Sequence, residues 1–164
     1  MTLRFAKTFL VLGVALFYLF VVFNNLTDYN SNFQFIRHVL MMDSTFPGNT
    51  GIWRAINLPA VHTSFYISII AWELLTMILC LWGGLRLLRA LRGNARDFRE
   101  AGSLAIAGLS LSLLMWLVAF LSVGGEWFLM WQSKSWNAQE AAFRMFTVVG
   151  IVLLVLLQRE FDDS

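Results

Sequence analysis

Apolar positions along the chain gather into four long runs, centred near Ala15, Glu73, Leu113 and Val149, with polar connectors of unequal character between them. A helix rising 1.5 Å per residue needs roughly 20 residues to cross the hydrocarbon of a bilayer. The pattern therefore predicts membrane-spanning helices over about residues 4–24, 60–88, 101–123 and 138–158. The second is long enough to tilt or protrude. The third is expected to stop at Gly124-Gly125. Asn137 with Glu140 three residues later forms a capping-box pattern at the start of the fourth. Arg4 and Lys7 before the first run suggest a signal peptide, but no A-x-A-like site follows it, so it reads as a retained anchor. Asn25-Leu26-Thr27 is also a glycosylation sequon, which has meaning only in a eukaryotic secretory pathway.

The first long connector carries its own periodicity. Over residues 32–42, Gln34, Arg37 and His38 fall on one side of a helical wheel, and Phe33, Phe35, Ile36, Val39, Leu40 and Met42 cover the other. This is the pattern of an amphipathic helix lying at the membrane surface or capping the bundle, with Ser31 and Gln34 marking its start. Phe46-Pro47-Gly48-Asn49 then turns the chain.

Composition supports the same class. The chain is 59% hydrophobic and 13% charged, where a soluble domain carries roughly a quarter charged residues. The expected fold is all-α: one integral membrane domain over residues 1–164, a four-transmembrane-helix bundle with an interfacial helix. A net charge of +2 gives no reason to expect nucleic acid. Of the 12 Lys and Arg, eight (Arg4, Lys7, Arg86, Arg89, Arg92, Arg96, Arg99 and Arg159) fall on one side of this topology. Only Arg37, Arg54, Lys134 and Arg144 fall on the other. The positive-inside rule then puts both termini in the cytoplasm. The seven tryptophans fit: Trp53, Trp127, Trp131 and Trp136 mark the outer boundary and Trp82 the inner one, while Trp72 and Trp116 lie near mid-membrane.

Candidate chemistry lies where polar residues interrupt the apolar runs. Glu73 sits half-way along the second helix, where a charged carboxylate costs roughly 2.5–3.5 kcal/mol on insertion scales. It must face the bundle interior, find a partner or be protonated. His62, Tyr66, Cys80 and Gly84 share its helical face. Arg144, two turns into the fourth helix, follows Glu140 at the favourable spacing of four. Glu73, Glu126, Glu140 and Arg144 are therefore expected to form a charge network in the outer half, with His62 and Tyr66 beside it. Arg37, His38, Trp53, Arg54, Trp127, Trp131 and Trp136 form an outer cap. His38 and His62 are the only histidines; with Met41 and Met42 close to His38 they could ligate haem or copper, a weak signal beside the plainer reading of interfacial hydrogen bonding, so no metal site is expected and haem or quinone is only a weakly signalled cofactor. The single cysteine, Cys80, excludes an intramolecular disulfide or a CxxC motif. Nucleotide-loop, H-E-x-x-H and G-x-S-x-G signatures are absent. Small residues, Ala101, Ala105, Gly108 and Ser112 with Gly83-Gly84, mark a close helix contact, either within the bundle or between protomers.

Several segments together resemble a known family: Asn25-Leu26-Thr27-Asp28-Tyr29, the stretch from Phe35 through Pro47, Trp53-Arg54-Ala55-Ile56, the stretch from Gly125 through Ser133, and Trp136-Asn137. The chain resembles the bacterial small integral membrane proteins known as domain of unknown function 2165. Ala138 departs from the glycine expected after Trp136-Asn137. The resemblance implies a four-helix protein of the bacterial inner membrane and implies no activity. Two functional readings follow. One is a non-enzymatic accessory subunit or homo-oligomer, paired with itself or another membrane protein, with a partner- or ligand-binding site in its outer half. The other is a small-molecule, ion- or proton-handling protein that uses Glu73.

Overall fold

The computed structural model describes residues 1–158 and is helical throughout its regular segments. Arg159 and the acidic tail after it lie outside the described residues. The elements are α1 (Thr2–Thr27), α2 (Tyr29–Met41), α3 (Pro59–Ala90), α4 (Ala95–Ala101), α5 (Ser103–Leu114), a π-helix (Met115–Trp127) and α6 (Gln139–Leu157). Short 3₁₀ turns at Ile52–Arg54 and Met130–Gln132 sit in the connectors. Four helical stretches are long and apolar enough to span a membrane: α1, α3, α5 continued by the π-helix, and α6. At 1.5 Å per residue, the 32 residues of α3 measure about 48 Å, well beyond the roughly 30 Å of bilayer hydrocarbon.

α1, α3 and α5 meet through small residues. A Cβ placed on Gly83 would lie 2.4 Å from the backbone nitrogen of Ala105, and one on Gly108 would lie 2.7 Å from Cys80 Sγ. On the other side of α3, a Cβ on Gly84 would lie 2.5 Å from Leu12 of α1. These glycines thus serve contacts within the bundle. In lipid, where apolar burial gives helices no reason to associate, such close backbone approach supplies the packing energy. The core runs along this contact through Val11, Tyr18, Cys80, Leu87, Ala105 and Leu109.

Several helix ends differ from the expected ones. α1 runs on to Thr27, so Asn25 is helical; it lies seven residues beyond Tyr18, on the same buried face. α2 starts at Tyr29, where Ser31 Oγ donates to Asp28 and Gln34 Nε2 to Asn30 in place of a Ser31 cap. The third span does not stop at Gly124-Gly125. It continues to Trp127 with widened i→i+5 bonding, seen where Phe128 N donates to Val123 O. α6 begins without a capping box; Asn137 Oδ1 instead accepts from Gln139 N.

The two ends of the bundle are built differently. At one, Arg4 Nη1 donates to Leu91 O (3.2 Å) and Gly93 O (2.6 Å) beyond the end of α3, and its guanidinium lies over the Phe98 ring. The buried Lys7 donates to Gln158 O at 2.6 Å, the carbonyl that ends α6. Basic side chains thus satisfy orphan carbonyls at helix C-termini, where the dipole also favours positive charge. At the other end, α2 and both connectors form a separate apolar cluster of Val39, Leu40, Met42, Phe128 and Met130. Met42 closes α2 in the left-handed conformation at φ 52°, a place usually left to glycine. Its side chain, 2% exposed, is buried in that cluster, which offsets the backbone cost.

Candidate functional site: a buried carboxyl and an apolar cavity in the capped half

Glu73 faces inward from the middle of α3 and is 4% exposed. Its partner is Asn25 of α1, whose Nδ2 donates to Glu73 Oε2 at 2.6 Å. Tyr66, two turns earlier on α3, donates its hydroxyl to both Asn25 O and Asn25 Oδ1 at 3.2 Å. Tyr29 and Phe33 of α2 lie against the Tyr66 ring and cover this group from the end of the bundle. The carboxyl is thus clasped by neutral hydrogen bonds between two helices. His62 shares the buried face of α3 but serves the loop, donating Nε2–H to Ile56 O at 2.7 Å.

The four-membered charge network does not form. Glu126, Glu140 and Arg144 are all exposed, and among the described residues no ion pair joins any of them to Glu73. The helix neighbours explain this. α3 turns Glu73 toward α1, whereas α6 packs on α5, the π-helix and α1 and leaves Arg144 on its outer surface. Glu140 occupies the first turn of α6, where the dipole favours a carboxylate without a partner side chain.

A second polar group lies deeper. Tyr18 Oη and Ser112 Oγ are 2.6 Å apart, and Trp116 Nε1 donates to Tyr18 Oη at 3.0 Å. These side chains tie α1 to the junction between α5 and the π-helix. Trp72 donates its indole N–H to Leu111 O at 3.1 Å, so both mid-span tryptophans hold helices together.

The cap residues are drawn together as a lid. His38 Nδ1 and Asp43 Oδ2 are 2.6 Å apart, and the His38 ring stacks on Trp136 at 4.6 Å. Phe46 packs edge-on against Trp131 and takes Gln132 Oε1 on its backbone N–H. Ser44 Oγ donates to Ser133 Oγ. Arg54 donates Nη1 to Trp127 O at 3.1 Å, with its guanidinium over the rings of Trp53 and Trp127. Arg37 stays on the exposed face of α2, where Nη1 donates to Gln34 Oε1. His38 and His62 are thus engaged by different loops, and among the described residues no group of three His, Cys, Asp or Glu is placed to hold a metal ion.

Between the lid, α3 and the π-helix lies a cavity of about 240 Å³. Phe35 and Leu40 of α2, Phe65 and Trp72 of α3, and Ala119 and Gly124 of the π-helix are among the side chains that wall it. Its few polar groups are spent: Ser68 Oγ donates to Ser64 O, and the Trp72 indole is bonded as above. The π-helix lines the space with Val118, Ala119 and Val123; i→i+5 bonding shifts the side chains of such a stretch out of α-helical phase.

The match to the predicted small integral membrane protein family DUF2165 covers residues 3–159. The chain belongs to that family. No curated protein and no solved structure matches it. Membership establishes an integral membrane protein and brings no reaction with it.

Asn25, Tyr18, Ser112 and the π-helix were not legible as site features from the sequence. Asn25 had a usable signal, since continuing α1 by one turn puts it in register with Val11, Val14, Tyr18 and Val22 on the buried face. The π-helix has none, because its widening depends on what it packs against.

Proposed function

We propose that this protein is a non-enzymatic component of the bacterial inner membrane that binds an apolar ligand in its capped half. The cavity of about 240 Å³ between α2, α3 and the π-helix carries this reading. An engineered apolar cavity of about 150 Å³ in another protein stays dry and takes up benzene, so a space of this size and lining favours a hydrocarbon guest. The lid of α2 over its mouth supports binding, and the absence of a nucleophile–base pair among its walls supports a non-catalytic role. An accessory-subunit role follows if the guest or the lid is shared with another membrane protein. Both termini are assigned to the cytoplasm, since Arg4, Lys7 and the arginines at the end of α3 and in α4 collect at one end of the bundle. Purification in mild detergent, followed by mass spectrometry of lipid-soluble molecules and an absorption spectrum, tests the reading. A co-purifying apolar molecule or quinone is expected, and Ala119→Leu should remove it while helix content stays the same. Retention unaffected by Ala119→Leu overturns the cavity as the site.

A second reading is favoured by one observation, the Glu73 carboxyl buried at mid-span. Ionisable groups at that depth are commonly functional, and this one would serve as a proton or cation site. Glu73→Gln keeps an acceptor for Asn25 and removes the titratable proton. Loss of a proton-linked signal in vesicles with assembly intact supports this second role; an unchanged signal assigns Glu73 to structure.

A further inference from the structure

Resting on the cavity reading above, we infer that the ligand is an anionic phospholipid, its chain in the cavity and its headgroup on Arg54. Arg54 is a cation that the fold holds in place against this end of the π-helix. Its guanidinium is fixed by Trp127 O and by the faces of Trp53 and Trp127, at 5.5 and 5.0 Å. It forms no ion pair with any described carboxylate, Glu126 included. Of its five N–H donors, one is spent on Trp127 O, and Nε is buried with no acceptor among the described residues. Asn49 Nδ2 is a second buried donor in the same condition. The two side chains meet around Gly51, whose Cβ position would lie 3.1 Å from Asn49 Oδ1 and 3.7 Å from Arg54 Cζ. Two side chains that each keep a donor without an acceptor among the described residues, one of them cationic, call for an anion with several oxygens. A phosphate meets that need, and Arg presents the planar fork that suits it.

Position joins this site to the cavity. The π-helix lines the cavity with Val118, Ala119, Val123 and Gly124, and less than one turn further on Trp127 holds Arg54. Phe128, buried beside Trp127, is itself a wall of the cavity. The exposed Trp53, Trp127 and Trp131 place Arg54 at headgroup level. A molecule with a hydrocarbon chain and an anionic head therefore finds both surfaces in the order in which a bilayer leaflet presents them. A free fatty acid shares the chain, but its single carboxylate offers fewer oxygens to the Arg54 and Asn49 donors.

Native mass spectrometry of the full chain in detergent with phosphatidylglycerol, phosphatidylcholine or oleate tests the assignment. The wild type should retain phosphatidylglycerol over phosphatidylcholine by about fivefold, the worth of one basic residue at a membrane surface. Arg54→Gln should abolish that preference while leaving lipid bound through its chain. Arg54→Lys should restore it in part, and Arg96→Gln, at the opposite end, should leave it intact. Ala119→Leu should remove both lipids. The inference is overturned if the wild type shows no preference, if Arg54→Gln keeps it, or if oleate is retained above phosphatidylglycerol. The cavity reading survives those results and falls only if Ala119→Leu leaves lipid retention unchanged. Helix content and thermal midpoint, measured for every variant, identify a misfolded one, and Arg54→Lys then carries the comparison.

Discussion

The crossing of α3 with α5 and the capped half of the same helices follow opposite packing rules. At the crossing, Gly83 and Gly108 bring backbones so close that a single added carbon would collide with Ala105 or Cys80. Two to three turns further on, the π-helix and the aromatic side chains of α2 and α3 line about 240 Å³ of apolar space. Tyr18, Ser112 and Trp116 stand at the boundary between the two. The contrast shows how a small membrane protein can hold a cavity: glycines draw the helices together at one level, and a helix of changed pitch lines the space at another.

The largest effect is expected from breaking the tight half. Gly108→Leu forces a side chain onto the backbone of α3, and overpacking of this kind typically costs about 1–3 kcal/mol. Lower yield and a lower thermal midpoint in detergent are the expected readouts. Gly13→Leu, where nothing lies within 4 Å of the added Cβ, should leave both unchanged. Next comes the boundary. Tyr18→Phe deprives Trp116 Nε1 of its acceptor and Ser112 of its partner, and an unmade buried bond costs about 1–3 kcal/mol. An equilibrium unfolding titration should show that loss, and Ser112→Ala in the same background should recover part of it.

The loose half should answer with the opposite sign. Ala119→Leu fills apolar space, so the thermal midpoint should hold or rise while ligand uptake is lost; a fall in midpoint means that the cavity is already filled by the wall. The smallest effect belongs to the exposed pair of Arg96 and Glu100 in α4, 2.8 Å apart. The hydrogen bond from Arg96, then its charge, holds the Glu100 carboxyl below the ordinary glutamate range. A depressed carboxyl pKa contributes stability above its unfolded value, and that contribution is lost as pH falls through the folded one. Any change from Arg96→Gln should thus appear at neutral pH and vanish in acid, and the midpoint shift should be the least in this series.

Much of the architecture was legible because bilayer physics makes it so. Apolar runs of spanning length and an amphipathic connector identify helices directly through hydrophobicity and period. The site was less legible. Glu73 is identifiable from sequence as an inward carboxyl, but its partner is Asn25, at a position that reads as loop. Arg144 and Glu140 have the spacing of a helix pair, yet both side chains are exposed and no ion pair joins them among the described residues. Spacing gives only the chance of contact; which helix lies opposite decides whether it is taken. The Gly124-Gly125 pair shows the same limit from the other side. Glycines weaken a helix in water, but in a packed span they permit close neighbours, as where Gln139 Nε2 would lie 2.5 Å from a Cβ on Gly125.

By itself the sequence determined that this chain is an all-helical integral membrane protein with four spanning helices, an amphipathic helix in the first connector, and a carboxyl half-way along the second span. Those properties depend on hydrophobicity and period, which are local to the chain. The tertiary structure alone decided that Asn25, itself held by Tyr66, bonds Glu73, that the glycines serve the bundle interior, and that a π-helix lines an apolar cavity. Each of these depends on which face of one helix meets which face of another, and no single segment carries that information.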